Sequence, residues 1–562
     1  MEGMDNNLNN RRLAIAGLAA FVLLSAVNIY YHTKIQVSSD TVTMLPVAKD
    51  FLSGNYLLRH WKLGTNNFFF TETIFYVLGM AIGLSDKLMI GTITPIFVSA
   101  FVAMFAWYFI INDNGAGEGY KLYPPSLLPR TRCFLALCYV LAAGIVPWPL
   151  AYTMLNANSH NNLYFFIGLC FAMLIAWMRT GKLKLLVLYV PIAVLLIFSE
   201  GFATMTLVGP AVLFGLWYAF FDARRRREGW YVVAVNAIAW LAAECVTGTV
   251  LAANGLVTFG LPMKLVLSPL NVAYRVKAYI LESKLFFDTG NIEFLGISLP
   301  QYVFEVVIWL TMAGFLLGLV MALFNFVKLS DIDRLLFITV FLNLCGCFFF
   351  KVDIHVRYIV PTWIFGAIVS LKQIALLFEW IAEKKLIWRV LTWTLAILMG
   401  LSVLATSIKK FMVIQINTPY GWKEKEVAAF LEKNDYGDGY GLFWSSWNIS
   451  YYSDDEVDIK AIVVDNEGVY KYYELIRDDW YNWDDREYLV MNESYREKLE
   501  PHVYEYIGEP AEVTQVNDYI IYRWTDDVTD ELEQYDVGKK REQAELAESM
   551  GLPAMATSDG AG

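Results

Sequence analysis

Eleven apolar runs fill most of the chain between residues 13 and 408: 13–31, 88–111, 133–150, 163–179, 184–199, 202–221, 230–252, 301–327, 334–350, 357–380 and 387–408. Most approach the ~20 residues that an α-helix needs to cross a hydrocarbon core. A bilayer offers no water to backbone amides, so such runs are stable there only as helices that satisfy their own hydrogen bonds. The fold class that follows is a polytopic α-helical membrane protein of about eleven spans, and a 57% hydrophobic, 16% aromatic composition agrees with it. The first run, "LAIAGLAAFVLLSAVNIYY", follows "NNLNNRR" with no small-residue cleavage site behind it. It reads as an uncleaved first helix with its amino end in the cytoplasm.

One further run, 68–84, is apolar but short and interrupted by Glu72. The basic clusters Arg11-Arg12, Arg130 with Arg132, Arg179 with Lys182 and Lys184, Arg224 through Arg227, and Lys384-Lys385 share the cytoplasmic side only if this run does not cross. It is therefore expected to be a juxtamembrane or membrane-dipping helix in a first external loop, 32–87. The other external pieces are then "PWPLAYTMLNANSHNNLY", "SEGF" at 199–202, a long loop at 253–300 and "KVDIHVR" at 351–357. All five histidines (His32, His60, His160, His355, His502) fall on that side.

Residues 1–409 read as the transmembrane domain. From 410 to 525 the pattern becomes that of an external soluble α/β domain: "WKEKEVAAFLEKN" has helical spacing, while "YGLFWSSW", "DIKAIVV", "REYLVMN" and "DYIIYRW" read as strands. Residues 526–562 are polar and acidic and read as a disordered tail. The net charge of -11 lies largely toward this end, which argues against a nucleic-acid partner. All six cysteines lie in apolar runs, so neither a disulfide framework nor a thiolate metal site is available to the soluble region. "NIS" at 448–450 and "NES" at 492–494 match the N-glycosylation acceptor pattern. The aromatic stretches "FWSSWNISYY" and "DDWYNWDD" are placed either to stack on sugars or to pack the core of the domain.

Several polar residues stand where chemistry is possible, each with a plainer reading beside it. Asp40, in "SSDTVTM", is placed either to cap a helix or to act as a general base near the membrane plane. Glu72 is an ionisable group in an apolar stretch, which is costly unless it faces a cavity or partner; in the plainer reading Thr71 caps the helix and Glu72 sits in its first turn. Glu200 breaks an apolar hairpin at its external turn, as a turn residue or a cavity-lining acid. "NANSHNN" gathers Asn158, His160 and further amides, which suit sugar hydroxyls and are also ordinary turn formers.

The segment "KVDIHVRYIVPTW" sets Lys351, His355 and Arg357 at the start of a late membrane helix. Cations are disfavoured at a helix amino end and on the outer face of a membrane protein. A guanidinium there is either a snorkelling interfacial group or a bidentate clamp for a phosphate at headgroup depth. Arg275 and Lys277, in "NVAYRVKAYI", are placed to supplement such a site.

In order and membrane side, four features resemble the GT-C superfamily of glycosyltransferases, which includes protein O-mannosyltransferases, lipid A aminoarabinose transferases and the oligosaccharyltransferase catalytic subunit. They are Asp40 soon after the first span, "TETIFYVLG" closing the first loop, the loop around "NANSHNN", and "HVRYIVP" opening a late helix. The resemblance implies an external cavity facing a polyprenyl-phosphate-linked sugar, an acid of the first loop as base and a basic residue on the lipid phosphate. In this chain that assigns Asp40 and Glu72 to catalysis, Arg357, His355, Lys351, Arg275 and Lys277 to the donor phosphate, and Glu200, His160 and Asn158 to sugar or acceptor. The expected partners are that donor, a glycan, lipid or protein acceptor, and membrane lipids. No metal site is assigned; a divalent metal is compatible with the family but not indicated, because the first loop lacks an Asp-x-Asp pair and the second offers amides and His160. The expected activity is inverting sugar transfer at the external face of the cell membrane, with a glycan polymerase or ligase using a diphosphate-linked donor, or a transporter, as the alternatives.

Overall fold

The structure, a computed structural model, describes residues 2–112, 127–258, 265–286, 301–350, 354–383, 386–416, 421–454, 456–465, 468–472, 474–477 and 487–525. The expectations for Lys351, the aromatic stretch "DDWYNWDD" and the tail 526–562 lie outside these residues.

Among the described residues eight helices are long and apolar enough to cross a membrane, or nine if Pro129–Gly144 and Pro149–Leu155, bent by 93°, make one span. The sequence count of about eleven also took in 301–327, where the helix is Gln301–Phe324, and Lys184–Ser199, which forms a shorter helix. At 1.5 Å rise per residue, the 16 residues of Lys184–Ser199 reach only ~24 Å, less than a ~30 Å hydrocarbon core. The run containing Glu72 is also short: a π-helical turn, Phe69–Thr73, continues as the helix Ile74–Ala81. It starts from Phe68, whose backbone is left-handed (φ 47°), and ends before Gly83 (φ 79°).

The inter-helix segments of the first loop, "NANSHNN", "SEGF", the first part of the long loop and the start of the helix Val356–Ala382 converge on one end of the bundle. The C-terminal domain docks there. Its six-stranded sheet uses β3 (Gly439–Leu442), β4 (Ile459–Asp465), β5 (Gly468–Lys471), β7 (Tyr488–Asn492), β8 (Glu512–Val516) and β9 (Tyr519–Arg523), in the order β5-β4-β3-β7-β9-β8. β3 runs parallel to both its neighbours and the other pairs are antiparallel. Period-two alternation supplies a core on each face: Leu489 and Met491 of β7 pack with Leu499 and Val503, while Tyr488 and Val490 pack with Val427, Leu431 and Ile449.

Part of the "YGLFWSSW" expectation is corrected. The strand stops at Leu442 and Phe443–Tyr452 is a helix. Its aromatic residues suit a strand by propensity, but Phe443 and Trp447 are four apart and share a core cluster, the helical spacing.

A second, three-stranded sheet ties the domain to the bundle. β1 (Trp61–Leu63) in the first loop pairs in parallel with β2 (Val257–Thr258) of the long loop and antiparallel with β6 (Ile476–Arg477) of the domain. Buried Asp50 reinforces it, accepting from Arg477 at 2.7 Å, Trp61 Nε1 at 2.9 Å and Asn55 at 2.6 Å.

Candidate functional site

Asp40 sits inside a four-residue helical turn, Ser39–Val42, that follows the first membrane helix. The cap of that turn is Ser38, whose hydroxyl accepts the Thr41 N–H at 3.1 Å. The capping alternative for Asp40 is thus taken by a neighbour, and its half-buried carboxylate opens onto a cavity of about 430 Å³. The bundle contributes Gln36, Asp40, Asn156, His355 and Arg357 to the walls. The soluble domain contributes Trp444, Asn448, Asn492, Ser494 and Tyr495 from the other side.

His355 is the N-cap of the helix Val356–Ala382, its Nδ1 accepting the Arg357 N–H at 3.4 Å. His355 is exposed at its tip, and partial burial together with the Arg357 charge lowers its pKa, while Arg357 is a fixed cation of the site. Arg357 Nε has no hydrogen-bond partner among the described residues. Burial pushes the Asp40 carboxyl up to about 6; Arg357 opposes that rise, and Glu474 of the domain adds to it. The Glu474 carboxyl is itself raised by burial, with Arg357 again opposing. Arg357 therefore lies in the field of two acids, one from each domain.

Behind the cavity wall is a second polar group. The Asn158 N–H donates to Glu72 Oε2 at 2.6 Å, and Asn158 Nδ2 donates to the Asp40 carbonyl at 2.7 Å. Glu72 is fully buried on its π-helical turn, a distortion often found at functional positions. Of the plainer reading, Glu72 does lie in the first turn, but Thr71 is not its cap: Phe68 occupies the N-cap position, and the Thr71 hydroxyl instead lies 3.2 Å from that of Ser199. Burial drives the Glu72 carboxyl well above its ordinary range, nearby Glu200 raises it further, and the Asn158 N–H opposes. His160 and Glu200, both buried, hydrogen-bond to each other. Asn158 (φ 60°) and His160 (φ 65°) both hold left-handed backbone, a strain of order 1–3 kcal/mol each that the surrounding contacts must sustain.

The structure thus brings Asp40, His355 and Arg357 to one cavity, with Asn158 and Glu72 directly behind Asp40 and the His160–Glu200 pair adjoining Glu72. Arg275 and Lys277 do not line it: Arg275 Nε donates to the Cys347 carbonyl at 2.8 Å, and Lys277 is exposed. Among the described residues no three His, Cys, Asp or Glu side chains are grouped to hold a metal ion. On the domain side, Trp444 lies in "FWSSWNISYY", one of the two aromatic stretches marked in the sequence, and Asn448, Asn492 and Ser494 lie in the "NIS" and "NES" patterns; Tyr495 and Glu474 carried no signal there.

No protein-family model and no curated protein matches the sequence. Among solved structures the chain is similar to the crystal structure of ArnT from Cupriavidus metallidurans in the apo state, with TM-score 0.52 and 12% identity over 93% of this chain and 99% of that one. At that identity the likeness is one of fold, and at that level it agrees with the GT-C resemblance of the sequence motifs.

Proposed function

We propose that the protein is an inverting glycosyltransferase that moves a sugar from a polyprenyl-phosphate donor to an acceptor hydroxyl. The observation that carries this reading is the pairing of Asp40 with Arg357 across one cavity at the bundle–domain boundary. The similarity to ArnT over nearly the whole chain supports it.

Asp40 takes the proton from the acceptor O–H, the acceptor oxygen forms a bond to the anomeric carbon from the far side, and the bond from that carbon to the phosphate oxygen breaks. The electron pair leaves with polyprenyl phosphate, whose added negative charge Arg357 stabilises, an electrostatic contribution aimed at charge that develops during the reaction. A carboxyl near 6 is ionised at neutral pH yet more basic than an exposed aspartate, which suits a general base. His355, whose Nδ1 accepts the Arg357 N–H, donates a hydrogen bond from Nε2 to the same phosphate. Glu72 acts through Asn158 to fix the Asp40 backbone and is a positioning residue. The side on which the basic clusters gather in the sequence argues that this cavity faces the external medium. Release of free polyprenyl phosphate from labelled polyprenyl-phosphate sugars, by the wild type and by Asp40→Asn, tests the proposal.

A further inference from the structure

The cavity has two walls of different character, and the domain-side wall has no part in the base or phosphate chemistry. It presents two large aromatic side chains, Trp444 at 44% exposure and Tyr495 at 39%, with Asn492 and Ser494 beside Tyr495. What sets these two apart from other exposed aromatics of the domain, such as Trp422 and Tyr504, is that both line the cavity that holds Asp40. Trp444 is also pre-positioned: its ring meets Phe443 edge-on at 5.0 Å and 77°, and Phe443 stacks on Tyr472 at 4.3 Å.

This wall is registered to the base by buried hydrogen bonds. The hydroxyl of Ser39, the residue before Asp40, lies 2.8 Å from the Phe443 carbonyl and 2.9 Å from Asn448 Oδ1. Asn448 Nδ2 donates to the Trp444 carbonyl at 3.1 Å, so this amide links the Ser39 hydroxyl to the Trp444 backbone. Buried Glu424 adds a second tie, accepting from Gln36 at 2.6 Å and from the Tyr519 hydroxyl at 2.7 Å.

Flat aromatic faces flanked by amide and hydroxyl groups match a sugar ring, whose C–H faces are apolar and whose edge carries hydroxyls. An alkyl acceptor would call for an apolar lining, and here the bundle side offers Gln36, Asn156 and Ser159. We infer that the acceptor is a carbohydrate, seated on Trp444 and Tyr495 so that one of its hydroxyls reaches Asp40. The inference rests on the glycosyltransferase reading and names its acceptor class.

Binding to the full-length protein in nanodiscs tests it, with two probes: a panel of manno-, gluco-, galacto- and N-acetylglucosamine pentasaccharides, and undecaprenyl phosphate. The wild type should bind at least one pentasaccharide. Trp444→Ala with Tyr495→Ala should weaken that binding about tenfold or more while undecaprenyl phosphate still binds, and Trp444→Phe should restore part of it. Arg357→Ala should do the reverse, losing the lipid phosphate and keeping the sugar. Unchanged pentasaccharide affinity in the double variant overturns the inference, as does a wild type that binds none of the panel or takes a lipid or peptide acceptor instead. Failure of undecaprenyl phosphate to bind the wild type would instead count against the donor assignment.

Discussion

Asp40 and Arg357 carry different charges to one cavity, and their substitutions should fail in different ways. Because only the ionised carboxylate can accept a proton, kcat/KM should fall about tenfold per pH unit below an inflection near 6, and Asp40→Asn should abolish that limb along with turnover. The stability effect has the opposite sign. A carboxyl whose folded pKa is raised holds its proton more tightly folded than unfolded, so its ionisation destabilises the fold progressively from the ordinary aspartate range up to about pH 6 and by a constant amount above. Asp40→Asn should therefore match the wild-type Tm at pH 4 and equal or exceed it at pH 7.5; a lower Tm at pH 7.5 would point to a structural role. At Arg357 the planar fork matters as well as the charge. Arg357→Lys should retain donor binding weakly and lose roughly 10²–10³-fold in kcat, and near-normal turnover would remove the bidentate phosphate clamp from the account.

The segments that hold these residues are joined across hundreds of positions. β6 of the soluble domain completes a sheet with loops of the bundle, and Asp50 draws Arg477, Trp61 and Asn55 together beneath it. Asp50→Ala removes the buried carboxylate on which the partly buried Arg477 guanidinium and Trp61 Nε1 converge, and a loss of roughly 2–3 kcal/mol is expected, seen as a lower Tm and as faster proteolysis between the bundle and the domain. A Tm within error of the wild type would show that the clamp does not hold the domain in place. What the sequence conveyed about these elements follows their range. Helix runs, the awkward 68–84 segment and the polar starts at Asp40 and Arg357 are local patterns, legible from hydropathy and charge. The wall made by Trp444, Asn492, Ser494 and Tyr495 depends on contacts such as Ser39 to Phe443, some 404 residues apart, and no local pattern encodes them. The helix at Phe443–Tyr452 has a related cause, since propensity favours a strand there and packing decides otherwise.

Taken as a whole, the molecule is a helical bundle whose polar loops gather at one end and whose soluble domain closes over them. The fold class was readable because a bilayer restricts what apolar runs can become; its least certain member is a helix as short as Lys184–Ser199, which sits at the margin of a hydrocarbon core. Orientation is the expectation that charge alone supplies. Lys433 is exposed at the end of the helix Trp422–Lys433 of the domain, and in Lys433→Cys a membrane-impermeant maleimide should label that position in intact cells above the background of the unsubstituted protein; labelling only after lysis would reverse the assignment. The central claim is sugar transfer from a lipid phosphate with Asp40 as base, and donor turnover addresses it most directly. Purified wild type and Asp40→Asn, incubated with radiolabelled polyprenyl-phosphate monosaccharides, should differ about 10³-fold or more in release of free polyprenyl phosphate. Equal release by the two proteins, or none from any donor alongside turnover of a diphosphate-linked glycan, would contradict it.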